Sequence, residues 1–461
     1  MTTTQAARAD AMSLRRAIET QTPTAIERWL DAIRDDADRA HQVASLSPSN
    51  RRRLGDVLDK HTATELFDSI DSDLAAKVLA GPQPAHAAEL VAALDAHRAA
   101  EIMRRMDEGR RDRILADMPL HRADVLRGLL SWPADSVAAH MTPEALTVRP
   151  STSASEAVAE IRHRASTQRD SSYAGVFVYV TADEQKLVGR VRFRSLVLAK
   201  ADEAAGDLLE NELSTVAAQT DAEEAANLLI DRRLRELPVV DADGRLLGVL
   251  TEANAMDIAE EETTEDAERQ GGSAPLEKPY LRASPLWLWR KRIIWLLVLF
   301  AAEAYTGTVL RAFEDEMEAV VALAFFIPLL IGTGGNTGTQ ITTTLVRAMG
   351  TGQVRFRDLP AVVFKELSTG TLIAVAMALA ALIRAWTLGV GPAVTLTVCL
   401  TVAAIVMWSA LVSSILPLVL KKIRIDPALV SGPMIATIVD GTGLMIYFLI
   451  AHATLPQLAG L

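Results

Sequence analysis

The pattern of apolar positions divides this sequence of 461 residues into two parts. Up to about residue 280, apolar residues occur in short groups separated by polar and charged ones. Five long apolar segments follow, and each approaches the roughly 20 residues that span a bilayer. We place these segments at 293–313, 319–346, 363–388, 393–420 and 428–453. The pattern therefore predicts a large polar region joined to a five-helix transmembrane domain over residues 286–461.

A twelve-residue repeat runs through residues 50–130. Its marks are the pairs Glu65-Leu66, Lys77-Val78, Glu89-Leu90, Glu101-Ile102 and Arg113-Ile114, with Asp124-Val125 eleven residues later. Each unit holds about two helical turns and a short connection, and such units bury their apolar faces by stacking on their neighbours. We predict an all-α helical-repeat domain over residues 1–135. Most of its residues are scaffold, but the acids Asp95 and Glu101 are candidates for cation contact.

Residues 136–252 change to an α/β pattern that occurs twice. In the second copy, Val239-Val240 and Leu246 to Leu250 read as strands around an Asp243-Gly244 turn. The first copy has the same form around Asp183 to Lys186. This order resembles a tandem pair of CBS domains, a fold that often binds adenine nucleotides between its two modules. The resemblance implies ATP as a candidate ligand at Thr251 and Asn254, where Asn254 replaces the family's usual Asp.

An acidic run lies just before the membrane segments, within a connecting helix and linker over residues 253–285. It comprises Glu260, Glu261, Glu262, Glu265, Asp266 and Glu268, and Gly271-Gly272 ends the helical pattern. Like charges at this spacing destabilise an isolated helix. The run is either a solvated face or a site that becomes favourable when cations neutralise it. Ser273 to Ser284, which contains Pro275 and Pro279 and is followed by Pro285, has the composition of a linker.

Charge and cysteine content narrow the functional classes. After residue 280 there are nine acidic and thirteen basic residues, a net charge of +4, so the total of −11 leaves −15 on residues 1–280. Such a negative region argues against nucleic acid as a partner and suits divalent cations. The single cysteine, Cys399, lies in an apolar run and supports no disulfide framework or thiolate metal site. No nucleophile–base pair stands at usable spacing, so we do not expect an enzyme.

Basic residues cluster in alternate connections of the membrane region. They are Arg290, Lys291 and Arg292, then Arg347, Arg355, Arg357 and Lys365, and last Lys421, Lys422 and Arg424. The positive-inside rule then predicts a multi-pass protein of the cell membrane with a cytosolic N-terminus and an outer C-terminus. The N-terminal residues lack the apolar core of a signal peptide. We therefore expect residues 1–280 to remain in the cytosol.

Two polar features interrupt the apolar segments. Pro328 to Thr344 carries four glycines and a run of amides and hydroxyls, including Asn336 and Thr337, and its Gly334 and Gly338 form a close-packing pair. Asp440 lies near the middle of the fifth segment, where an ionised carboxylate is costly. For Pro328 to Thr344 the alternatives are a tightly packed helix contact whose hydroxyls bond to their own backbone, and a helix face that lines a water-filled passage. Asn336, Thr337 and Asp440 offer the oxygen ligands that Mg²⁺ prefers.

One Asp in each chain is a sparse site for a divalent ion, and a two-fold homodimer would supply two. The stretches PLLIGTGGNTGTQ, KELSTG and DPALVSGPMIATIVDGTG, in this order of domains, resemble the MgtE family of magnesium channels. The resemblance implies a homodimer with a central pore, with Asp440 as the pore acid and Asn336 and Thr337 at the filter. Thr339 stands where the family usually has a second Asn.

The resemblance also implies a cytosolic magnesium sensor. Its acids would be Glu265 and Asp266 of a Thr-Glu-Asp signature, together with Glu262, Asp257, Asp221, Glu223, Asp426 and Glu101. The helical domain departs from the family here, because His97-Arg98-Ala99-Ala100-Glu101 keeps one acid of three. The expected function is a Mg²⁺-selective channel that closes when internal Mg²⁺ bridges these carboxylates. An ion-coupled divalent cation transporter and a membrane-anchored nucleotide sensor are the alternatives.

Overall fold

A computed structural model describes residues 13–143, 145–167, 176–210, 212–276, 280–423, 425–429 and 432–458, with the backbone alone at 164–167. The contacts divide the chain into two units, Met1–Glu260 and Glu261–Leu461. Arg424 of the last basic connection and Pro279 of the linker lie outside the described residues.

The first unit begins, from residue 13 on, with a series of ten short helices. Helices α1 to α10 span Leu14–Glu19, Pro23–Ala32, Asp36–Ala44, Pro48–Val57, Lys60–Asp68, Ser72–Leu79, Pro84–Ala93, Ala96–Arg104, Glu108–Ala116 and Leu120–Ser131. The apolar member of the five pairs at steps of twelve is fully or almost fully buried, at Leu66, Val78, Leu90, Ile102 and Ile114, whereas Val125 of the last pair is half-buried. The predicted helical-repeat domain is therefore confirmed, with one helix in each twelve-residue unit.

The residues that cap the N-terminal ends of the helices recur every twelve positions. The capping positions of α3 to α10 are 35, 47, 59, 71, 83, 95, 107 and 119. At six of them an Asp or Ser side chain accepts a hydrogen bond from a backbone N–H of the first turn. Each such cap stabilises its helix by about 1 kcal/mol. Asp95 is one of these caps, which accounts for its place in the array.

Arginines that recur every twelve residues donate hydrogen bonds to backbone carbonyls at the C-terminal ends of the helices. Arg98 donates to the carbonyls of Phe67 and Ile70 at the C-terminal end of α5, and Arg110 to those of Leu79 and Pro82 at the C-terminal end of α6. Arg122 donates to the carbonyl of Leu94 after α7. The last carbonyls of a helix have no partner inside the helix, so these guanidinium groups satisfy acceptors that would otherwise be left open.

Two small α/β modules follow in the same unit. Their elements are α11 Val137–His140, β1 Thr147–Val148, α12 Ala154–Thr167, β2 Phe177–Thr181, β3 Leu187–Arg192, α13 Phe193–Leu198, β4 Val216–Ala217, α14 Ala222–Asp231, β5 Glu236–Val240 and β6 Leu246–Thr251. The sheets have the orders β1-β2-β3 and β4-β5-β6, each with one parallel and one antiparallel pair.

Both predicted strand–turn–strand copies are present. Gly244 has a φ of 79° between β5 and β6, a left-handed conformation that favours glycine. A buried carboxylate joins the two modules, because Glu236 accepts hydrogen bonds from the Tyr179 hydroxyl at 2.8 Å and from the Val176 backbone N–H at 2.7 Å. The connecting helix α15, Glu252–Gln270, then leads out of the first unit, and Gly271 and Gly272 follow its end.

The second unit contains five helices long and apolar enough to cross a membrane. They are α16 Pro285–Ala312, α18 Ile327–Gly350, α19 Leu359–Leu388, α20 Pro392–Lys422 and α21 Gly432–Thr454, with the short α17 Glu314–Ala319 between the first two. α16 begins two turns earlier than the apolar run, because the Ser284 hydroxyl caps the Trp287 N–H and Pro285 occupies the first helical position. α18 begins later than predicted, since Val321–Phe326 forms a 3₁₀ helix.

The close approach predicted for the glycine pair is present. A Cβ atom at Gly334 would meet Ile405 and Val439, and one at Gly338 would meet Ile435, Ser409 and Ser413. The two glycines therefore let α18 lie against both α20 and α21. The Ser409 hydroxyl fixes this contact by donating to the Gly334 carbonyl at 2.8 Å.

Candidate functional site

A stripe of polar side chains runs along one side of α18. Asn336, Gln340 and Thr343 are exposed and follow one another at helical spacing, and a Cβ atom at Gly332 would meet only open space. The neighbouring residues Gly334, Gly338 and Thr342 are buried against other helices. Polar groups on a bilayer-spanning helix are costly unless they meet polar surroundings. The stripe therefore needs a polar environment that lipid does not offer.

Other hydroxyls on α18 bond to the helix itself. Thr333 donates to the Leu329 carbonyl at 2.7 Å, Thr337 to the Thr333 carbonyl at 2.8 Å, and Thr344 to the Gln340 carbonyl at 2.9 Å. These three threonines therefore match the alternative in which the hydroxyls of Pro328 to Thr344 bond to their own helix backbone. Thr337 is buried, whereas Asn336 is exposed. The roles of both residues as cation ligands stay predictions.

Asp440 lies on α21 beside the glycine-rich part of α18. Its Oδ1 atom is buried and has no hydrogen-bond partner among the described residues. A Cβ atom added at Gly335 would lie 3.6 Å from this oxygen, and the Glu303 carboxylate of α16 is close enough to interact with it electrostatically. No lysine or arginine in the described ranges forms an ion pair with Asp440. A buried polar atom without a protein partner requires an explanation, and contact with a cation or its water shell would supply one.

At the other end of the second unit, two of the predicted sensor acids share one arginine. Arg269 of α15 forms ion pairs with both Glu265 and Asp426, which are far apart in the sequence. The second oxygen of Asp426 accepts a hydrogen bond from the Ala428 N–H at 2.8 Å. Asp426 lies just before α21, the helix that carries Asp440. The geometry thus ties the connecting helix to the start of α21.

Asp266 lies one residue further along α15, near Gly350 at the end of α18. A Cβ atom at Gly350 would be 3.6 Å from its Oδ2 atom. Burial raises the pKa of Asp266; the nearby Arg269 opposes this, the Glu265 charge adds to it, and Arg347 and Lys421 oppose it further. This carboxylate therefore has an incompletely compensated charge.

In the first unit, Glu101 of α8 is held by two neighbours. It pairs with the Arg98 guanidinium at 2.6 Å and accepts a hydrogen bond from the Ser72 hydroxyl at 2.5 Å. Burial would raise the pKa of Glu101, but Arg98 and Ser72 outweigh it and lower the pKa. Asp257 of α15 interacts electrostatically with Glu101. Burial raises the pKa of Asp257, and the negative charge of Glu101 raises it further.

The remaining predicted residues have local roles. Asp221 caps α14 by accepting from the backbone N–H groups of Glu223 and Glu224 at 3.0 and 3.2 Å. Glu223 and Glu262 are half-buried. Thr251 donates to the Asn254 side chain, and the Asn254 amide donates to the His140 carbonyl at 2.8 Å. Nucleotide contact by Thr251 and Asn254 stays a prediction.

Within the described ranges, no group of three or more His, Cys, Asp or Glu side chains is arranged to hold a metal ion. The acids instead meet arginines, Glu101 with Arg98 and Glu265 with Arg269. The sequence analysis did not assign these arginines. For Arg98 a signal existed, because Arg98, Arg110 and Arg122 follow the twelve-residue repeat. For Arg269 the only local signal was its i, i+4 spacing from Glu265.

Five apolar helices, a polar stripe beside an intramembrane carboxylate and an acidic connecting helix define a multi-pass membrane protein of the cation-transport class. Comparison with family models agrees: residues 327–450 match MgtE, a divalent cation transporter, residues 34–135 match the MgtE intracellular N domain, and residues 135–202 and 205–261 match the CBS domain. The chain belongs to the MgtE family. This confirms the predicted family and fold class.

Two sequence relatives support the assignment. The chain is 35% identical over 337 residues to the magnesium transporter MgtE of Thermus thermophilus, covering 73% of this chain and 74% of that one. It is 31% identical over 423 residues to the magnesium transporter MgtE of Enterococcus faecalis, covering 90% and 88%. A crystal structure of the soluble part of a magnesium transporter is 22% identical, covers 54% of this chain and 98% of its own, and gives a TM-score of 0.46.

Proposed function

We propose that this protein is a Mg²⁺-selective, channel-like transporter whose pore forms at the axis of a homodimer and closes when cytosolic Mg²⁺ rises. The observation that carries the proposal is the exposed polar stripe of α18 next to the Asp440 oxygen that has no hydrogen-bond partner in the described part of the chain. A membrane helix with this face needs a polar partner. A second copy related by a two-fold axis would cover the stripe and bring a second Asp440 to it.

The chemistry of the stripe suits a hydrated divalent ion. Mg²⁺ keeps several of its waters, so it needs amide and carboxylate oxygens that accept hydrogen bonds from that water shell. Asn336 and Asp440 supply such oxygens, with Thr337 beside them. Two facing carboxylates would also offset the charge of a divalent ion better than that of a monovalent one. This supports selection for Mg²⁺, and the same ligands would admit other divalent cations.

The decisive experiment is Mg²⁺ influx into liposomes, measured with an internal magnesium dye. Asp440→Asn keeps the shape of the side chain and removes its charge, so we expect influx to fall to the level of empty liposomes. Glu366→Gln removes a carboxylate from another membrane helix and serves as the matched control with influx retained. Full influx in Asp440→Asn would refute the pore assignment. Influx that saturates and requires a coupling ion gradient would instead indicate a secondary transporter.

The gating proposal uses the connection between α15 and the start of α21. Glu265 and Asp426 are held by one guanidinium, and the charge of Asp266 is poorly compensated. A divalent cation that replaced or joined Arg269 there would draw α15 towards the segment before α21. Such binding shifts the open–closed balance by its difference in affinity for the two states. Glu262, Asp221 and Glu223 are further candidate ligands of the same kind.

The orientation follows from charge. The basic connections beside α16, between α18 and α19 and after α20 would lie on the cytosolic side, with the acidic α17 outside. The sensor acids are then in the compartment whose Mg²⁺ they report. ATP binding near Thr251 is a separate hypothesis that equilibrium binding to the purified protein would test.

A further inference from the structure

Arg98 of α8 interacts with three acids of the first unit, Glu101, Asp68 and Asp257. Its guanidinium donates to the Phe67 carbonyl at 2.7 Å, to the Ile70 carbonyl, to the Ser72 hydroxyl at 2.8 Å and to Glu101 at 2.6 Å. Two backbone carbonyls thus fix the position of the positive charge, and Glu101 is drawn onto it. Arg110 makes the equivalent pair of backbone contacts one repeat later, and Arg122 donates to the Leu94 carbonyl two repeats later.

What distinguishes Arg98 from Arg110 is its acidic surroundings, because the charge of Arg110 interacts with Arg113. Asp68 interacts electrostatically with the same guanidinium as Glu101 and also with Asp95. The start of α15 is attached nearby, because Asn254 donates to the His140 carbonyl at 2.8 Å and the His140 ring lies 5.4 Å from that of His97 on α8. Asp257, one turn after Asn254, interacts electrostatically with both Glu101 and Arg98. Carboxylates of α8 and α15 therefore face one another with Arg98 among them.

We propose that Arg98 is a tethered cation that takes the place of a divalent ion between α8 and the first turns of α15, and so makes their attachment independent of Mg²⁺. The inference rests on the proposed function, in which Mg²⁺ bridges carboxylates of α15 elsewhere. At the junction of α8 and α15, by contrast, the link would be permanent, because the Arg98 guanidinium is part of the chain and supplies the positive charge without binding an ion. Mg²⁺ regulation would then act through the later part of α15.

Three properties favour the guanidinium over a free ion at this junction. It stays protonated at all physiological pH values. It is held in place by α5, so no entropy of capture is lost, whereas Mg²⁺ must shed water to bind carboxylates directly. Finally, both oxygens of Glu101 are already engaged, one with Ser72 and one with Arg98. A Mg²⁺ ion would have to break these contacts to reach Glu101.

The test is hydrogen exchange of residues 252–260 in the full-length purified protein, in excess EDTA and in millimolar Mg²⁺. For the parent chain we expect equal protection in both buffers. Arg98→Gln leaves the carboxylates facing one another without a cation, so protection in EDTA should fall by about 10- to 100-fold, the effect of losing hydrogen bonds to a charged group. Added Mg²⁺ should restore it.

Arg110→Gln is the matched control. It removes the same kind of carbonyl contact from α6, but its charge interacts with Arg113 rather than with acids. We expect it to loosen the array without any response of residues 252–260 to Mg²⁺. The proposal is overturned if the parent already requires Mg²⁺ for protection, or if Arg98→Gln behaves like Arg110→Gln. Liposome influx is measured separately, so failure here leaves the pore assignment standing.

Discussion

Gly338 offers a direct test of the packing around the membrane carboxylate. The perturbation is Gly338→Ala, which adds one methyl group to α18. A Cβ atom there would lie 2.8 Å from the Ser409 Oγ atom and 2.9 Å from the Ser413 Oγ atom, and closer still to a methyl group of Ile435. All three neighbours are fully buried. They cannot move aside into solvent or lipid.

The magnitude follows from these contacts. Overpacking of a tight interior costs about 1–3 kcal/mol. Moving Ser409 would also break its hydrogen bond to the Gly334 carbonyl, a loss of about 1 kcal/mol. Replacing a helical glycine by alanine returns about 0.5–1 kcal/mol. The expected net destabilisation is therefore about 1–3 kcal/mol, together with a displacement of α20 or α21 from α18.

The assay is the thermal stability of the protein in detergent, with Gly307→Ala as control. Gly307 is also in a membrane helix, but a Cβ atom there would meet nothing within 4 Å. The same chemical change should thus be neutral or slightly stabilising at 307 and should lower the melting temperature by several degrees at 338. Equal melting temperatures for the two variants would refute the close packing of α18 described above.

Three further predictions concern titratable groups. Burial and the neighbouring His140 lower the pKa of His97 to about 4, so the folded first unit favours neutral His97; its stability should be full above about pH 6.5 and fall by about 3 kcal/mol as the pH drops towards 4. His97→Gln should flatten this dependence in pH-corrected hydrogen exchange of α8, and an unchanged slope would contradict the assignment. Neutralising Glu265 and Asp266 together should weaken closure by internal Mg²⁺ in the liposome assay, and unchanged sensitivity would count against the sensor. The raised pKa of Asp266 means that this carboxylate takes up a proton at a higher pH than an aspartate with an ordinary pKa. On acidification, closure by Mg²⁺ should therefore begin to weaken at that higher pH. Asp266→Asn alone should abolish this contribution to the pH dependence of closure.

Much of the fold could be predicted because its signals are local. The twelve-residue period reflects a helix and its cap, both set within one repeat unit, as at Asp59 and Asp71. The Asp243-Gly244 turn is decided by the conformation that glycine tolerates. The five membrane helices follow from hydropathy, and their ends were less certain because caps such as Ser284 outweigh the apolar pattern.

The candidate sites were predicted only as lists of residues, without the contacts among them. The resemblance gave Glu265 and Asp426, but no local pattern indicates that one arginine would hold both, because the contact joins segments 157 residues apart. Thr337 and Asn336 are neighbours in sequence and equally polar. One is buried and bonded to its own helix and the other is exposed, because successive residues of a helix point in different directions.

The amino-acid sequence by itself determined the division into helical repeats, two α/β modules, an acidic connecting helix and five membrane spans, since these depend on periodicity, turn chemistry and hydropathy within short windows. The tertiary structure alone decided which charges are neutralised and which polar faces are open. Arg98 meets Glu101, Arg269 meets Asp426, and Asp440 keeps one oxygen without a partner among the described residues. Electrostatic compensation depends on distances across the fold, and those distances are fixed only when the helices pack.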